Sequence, residues 1–146
     1  MRKFRFRLQK VLKLREQHEN LAALALAEAE ATARCVRDKI AQIEKLRDSC
    51  VASLRNSPEP AVRRAGEVYL EVLGHEKIAL ELNLAEAQNR VEARRAELVE
   101  AQRNRKAMTN LRDHQASLHA KEMAKLEQKE LDALGTDRAA RGLIGL

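Results

Sequence analysis

Pro58 and Pro60 are the only prolines in 146 residues, and they stand within three positions of each other in a chain that otherwise reads as helix. Proline has no amide hydrogen to donate and its ring collides with the preceding turn, so the pair ends one helix and lets another begin. Ser57 is placed to cap the second helix, with the prolines at starting positions whose amides lack an intrahelical partner. The expected architecture is all-α, a single domain over residues 1–146: helix one at about 4–55, a hinge at 56–60, helix two at about 60–134 and a flexible tail at 135–146. Each arm can bury its apolar stripe against the other, which makes the fold a long antiparallel two-helix coiled coil, a helical hairpin.

Both arms carry such a stripe. In the first it steps by three and four through Phe4, Leu8, Val11, His18, Ala22, Ala25, Ala29, Ala33, Val36, Ile40, Ile43, Leu46, Cys50 and Leu54. In the second it runs through Val62, Ala65, Tyr69, Leu73, Leu80, Leu84, Ala87, Val91, Leu98, Ala101, Met108, Leu111, Leu118 and Leu126 to about Leu134, where Gly135 offers a C-terminal cap. Folding at residue 58 sets Ala22–Ala33 opposite about Asn83–Arg94, so that Leu84 and Val91 fill the space alanine leaves. Composition agrees with long helices rather than a compact core: 34% of residues are charged, 2% are aromatic and tryptophan is absent.

Helix two outruns helix one by about 23 residues, or about 35 Å, which leaves Leu111, Leu118, Met123, Leu126 and Leu131 without a covering arm. The chain start, at the same end, is strongly basic. Arg2, Lys3, Arg5, Arg7, Lys10, Lys13 and Arg15 precede the first acid, Glu16, although a helix N-terminus favours acids. Uncovered apolar surface beside clustered positive charge marks a partner-binding end. A second patch lies just past the hinge, where Val68, Leu70, Ile78 and Leu82 are expected to point partly or wholly away from helix one.

Several function classes are excluded by the residues. No window approaches the roughly 18 consecutive apolar residues of a membrane span, so the expected chain is soluble or attached to a surface. The stripe continues past Glu16, which argues against a removable targeting segment, and the start lacks the apolar run of a secretory signal. Cys35 and Cys50, about 22 Å apart on one helix, cannot pair within the arm and read as small buried residues. The five glycines form neither a phosphate loop nor a dinucleotide turn, and His114 and His119, five apart, do not share a helical face as metal ligands would. No enzyme, cofactor or metal site is expected; the chain should act through its surfaces.

The run Lys3-Phe4-Arg5-Phe6-Arg7-Leu8-Gln9-Lys10-Val11-Leu12-Lys13-Leu14-Arg15-Glu16, followed by Leu24-Ala25-Leu26-Ala27-Glu28-Ala29, closely resembles the start of the FliJ family of bacterial flagellar export proteins. The resemblance implies a cytoplasmic two-helix coiled coil similar to the stalk of the ATP synthase γ subunit, peripheral at the inner membrane. It implies a stalk seated in the central hole of the hexameric export ATPase, contacting the cytoplasmic linker of the export gate and binding export chaperones. Within it, Phe4, Arg5, Phe6, Arg7, Leu111, Leu118 and Leu126 form the candidate ATPase end. Phe4 and Phe6, about 200° apart on a helix, cannot both enter the seam, so one should be free for a partner. Tyr69, Leu70, Leu73 and Ile78 resemble the apolar positions that meet the gate, with Gly74 and Lys77 where an apolar residue is expected.

Two alternatives stand beside this reading. One is the equivalent stalk of a virulence type III secretion system, which the residues do not separate from a flagellar one. The other is a basic helix on anionic lipid or nucleic acid, although the basic tract has no aromatic interleaving for base stacking and no nucleic acid is expected as partner.

Overall fold

A computed structural model of the chain describes residues 2–144, the side chains of residues 143 and 144 excepted, and consists of two helices packed against each other. Helix α1 spans Gln9–Arg55 and helix α2 spans Pro60–Ile144, with no strand among the described residues. The fold is the all-α helical hairpin expected from the paired prolines. Asn56 and Ser57 donate their amides to the carbonyls of Ser53 and Leu54 at 3.3 and 3.4 Å, tightening the last turn of α1. Ser57 does not cap α2. Pro60 is the first helical residue, and the carbonyl of Glu59 accepts the amide of Arg63 at 3.2 Å, so Glu59 holds the capping position. Ser57 instead offers its carbonyl to Nε of Arg63 at 3.2 Å.

Both outer helix ends differ from expectation. Helix α1 starts at Gln9 rather than near residue 4, because residues 2–8 leave the helical path and Gln9 donates its amide to the carbonyl of Phe6 at 3.2 Å. Helix α2 passes through Gly135 without a left-handed turn and continues to Ile144; no glycine described here has a positive φ. Glycine permits a cap but does not impose one, and the Leu131–Arg138 run around it holds enough helix formers to carry the turn. Gly145, in the expected tail, lies outside the described residues.

Contacts group the described chain into two units. One runs His18–Ala101; the other joins the residues up to Gln17 with those from Gln102 onward. In the first, the seam of α1 runs through Ala22, Ala29, Ala33, Val36, Ile40, Ile43, Arg47, Cys50 and Leu54, as buried or half-buried positions. That of α2 runs through Gly66, Leu70, Leu73, Lys77, Leu80, Leu84, Ala87, Val91, Leu98 and Ala101. Ile43 shares a groove with Leu80, and Ala33 shares another with Val91, a slip of about two helical turns from a fold about residue 58. The corner, residues 56–59 with the exposed first turn of α2, consumes more of α2 than of α1 before the stripes engage at Leu54 and Gly66. Gly66 leaves room there for Leu54, whose side chain an added Cβ would displace. Ion pairs flank the seam: Lys77 with Glu44 at 3.3 Å and Arg95 with Glu30 at 3.8 Å.

In the other unit the seam is more polar. Leu12 is fully buried and Phe6 nearly so, while α2 contributes Arg105, Met108, Thr109, Arg112, Gln115, Ala116 and His119 as buried or half-buried positions. Past Met123, every described side chain of α2 is exposed.

Candidate protein-interaction surfaces

The basic start is held by packing rather than by a regular helix. Phe4 is half-buried with its ring on His119, centroids 5.7 Å apart and planes tilted by 54°, and Phe6 is 8% exposed. Because residues 2–8 are not helical, the helical argument that frees one phenylalanine does not apply: Phe6 is an anchor, and Phe4 keeps only part of its ring accessible. The two rings tether a strap on which Arg2, Lys3, Arg5 and Arg7 are all exposed. Of the described residues in this unit, sixteen are Lys or Arg and seven Asp or Glu, against twelve and fifteen in the unit His18–Ala101. The positive charge of the chain is thus concentrated in one unit, where the repulsion among exposed arginines makes an acidic partner surface the natural neighbour.

Apolar surface accompanies that charge. Leu111 and Leu118, assigned to the seam from their spacing, lie beside it and are exposed, while Arg112, Gln115 and His119 take the inward positions. Leu126 is exposed on the stretch of α2 beyond Met123. All seven residues of the candidate ATPase end therefore belong to one unit; Phe6 is the one that packing removes from the surface.

The hinge-side residues do not form one patch. Leu73 is 3% exposed and is core, and Leu70 is half-buried in the seam, so neither offers its face to a partner as expected. Tyr69, assigned to the seam, is exposed instead. The seam steps through Gly66, Leu70, Leu73 and Lys77, one position away from the Ala65 and Tyr69 path, and this exchanges the roles of Tyr69 and Leu70. Ile78 is exposed, but nine residues from Tyr69 it lies about 180° around α2, so the two sit on opposite flanks. Val68, Val72 and Leu82 are exposed as well, which concentrates apolar surface on the outer side of α2 here. Cys35, expected to be buried, is exposed, whereas Cys50 is half-buried with its Sγ 3.7 Å from the carbonyl of Gly66.

Among the described residues no group of three or more His, Cys, Asp or Glu converges, and no helix is long and apolar enough to cross a membrane. Two long helices packed against each other, with exposed charged and apolar surfaces, define an all-α helical hairpin protein. Residues 4–143 match the family described as Flagellar FliJ protein, and the chain belongs to that family, a non-catalytic component of the flagellar export apparatus. No curated protein and no solved structure matches the chain.

Proposed function

We propose that the chain is the coiled-coil stalk of the flagellar export ATPase, seated in the centre of its hexamer at the cytoplasmic face of the inner membrane. It couples that ATPase to the cytoplasmic linker of the export gate and receives export chaperones. The observation that carries this reading is the basic unit itself: a phenylalanine-anchored strap bearing Arg5 and Arg7, with exposed Leu111, Leu118 and Leu126 on α2. Family membership supplies the export context, and the charged and apolar surface supplies a means of docking inside a ring.

Charge reversal at both positions, Arg5→Glu with Arg7→Glu, is expected to weaken ATPase association at least tenfold while leaving helix content unchanged, since both side chains are exposed. Wild-type stimulation of the ATPase by this variant would remove the assignment. For the gate, Tyr69 and Ile78 are the accessible members of the hinge-side set, and single serine substitutions at each identify which flank is used. Helicity should be retained in both, with gate-linker binding reduced in at least one; full binding in both variants contradicts this contact.

A further inference from the structure

Gly74 sits inside α2, about four turns from its start, with nothing within 4 Å of where a Cβ would stand. Glycine inside a helix costs about 1 kcal/mol relative to alanine, and at Gly66 the close approach of Leu54 accounts for that cost. No such contact accounts for Gly74. Gly135 and Gly142 are also open; Gly74 lines a groove, together with Arg47 of α1 and Leu70, Glu71, His75, Lys77, Ile78 and Glu81 of α2. Glu71, Gly74, His75 and Ile78 stand at i, i+3, i+4 and i+7, the four corners of a hole that receives a knob from a neighbouring helix. The missing side chain deepens that hole.

The surroundings extend the pattern. Val68, Glu71, His75, Ile78, Leu82 and Ala85 step by three and four along the same side of α2, and all six are exposed. Val68, Ile78 and Leu82 are 60%, 58% and 65% exposed, a heptad-spaced line away from the α1 seam. Such a line suits a third helix lying along α2. Charge selects among occupants. Arg47 of α1 and Lys77 are the cations lining the groove, and Lys77 pairs with Glu44 at 3.3 Å and Glu81 at 3.9 Å; along α2 between residues 67 and 86, Lys77 stands against Glu67, Glu71, Glu76, Glu81 and Glu86. A second copy of this face would set glutamate against glutamate; a helix with basic flanks would be attracted.

We infer that the groove at Gly74 is a docking hole for an amphipathic helix with basic flanks, whose bulky apolar side chain enters over the glycine. This rests on the reading that the Ile78 flank meets a partner, and it names that partner's chemistry. The probe is a labelled heptad peptide with leucine at its core positions and lysine on its flanks, compared with a glutamate-flanked counterpart, against the full chain at physiological salt. Wild type is expected to bind the lysine peptide at least tenfold more tightly than the glutamate peptide. Gly74→Leu fills the hole and should lower lysine-peptide affinity about tenfold while keeping or raising the melting temperature, because the new side chain starts in open space.

Equal binding by wild type and Gly74→Leu, no binding by wild type, or no preference between the peptides each overturns the inference. So does a wild-type dimer in sedimentation that Gly74→Leu makes monomeric, since the occupant is then a second copy. Loss of gate-linker binding in Ile78→Ser but not in Gly74→Leu leaves the gate contact standing and removes the hole. Peptide binding that depends on Gly74, with gate binding indifferent to both Tyr69 and Ile78, does the reverse.

Discussion

Leu12 is the one large side chain among the described residues that is completely buried, and its neighbour Val11 is 38% exposed. Both are aliphatic and both fit a three-four stripe, so spacing alone does not choose between them. Truncation does: Leu12→Ala is expected to cost about 2–4 kcal/mol in denaturant unfolding, through lost burial and the cavity left behind. Val11→Ala should cost less than about 0.5 kcal/mol, as exposed substitutions do. Equal losses would show that the burial of Leu12 is not what holds the N-terminal strap. The same one-position choice recurs at Tyr69 and Leu70 and at Leu111 and Arg112. The exposure of the basic start was legible because exposed arginines need no register, whereas the hinge-side set depended on register and lost Leu70 and Leu73 to the seam.

At the scale of the element, the two ends of α2 treat glycine in opposite ways. Gly66 is where α2 first meets α1, against Leu54, whereas Gly135 lies on an exposed stretch with nothing near it. Alanine at either position gains about 1 kcal/mol of helix propensity, but at Gly66 the methyl group must displace Leu54. Gly66→Ala is therefore expected to lower stability by about 1 kcal/mol net. Gly135→Ala should raise helix content and slow amide exchange in the residues around it. A stabilised Gly66→Ala would mean that the corner relaxes at no cost. The break between α1 and α2 was readable from Pro58 and Pro60, yet their sequence did not reveal that Glu59 holds the cap or that the corner shifts the pairing by about two turns.

For the whole molecule, charge and packing are separable. The inter-helix ion pairs of Lys77 with Glu44 and Arg95 with Glu30 are partly exposed, and such pairs contribute at most about 1 kcal/mol each. Raising ionic strength from about 0.05 to 0.5 M should leave the melting temperature nearly unchanged while steeply weakening the proposed ATPase association, because Debye screening acts first on the exposed arginines. Parallel loss of both would show that the fold itself leans on those charges.

The sequence by itself determined the helices, the single break between them and the basic start, because proline chemistry, three-four spacing and charge are local properties of the chain. Only the tertiary structure decided which of two adjacent apolar positions turned inward, where the arms came into register, and that Gly74 lines an open groove beside Arg47 of α1. A helix with apolar residues at neighbouring positions offers two seams about 100° apart, and periodicity satisfies both. The partner helix selects one, and what it leaves uncovered becomes the surface available for function.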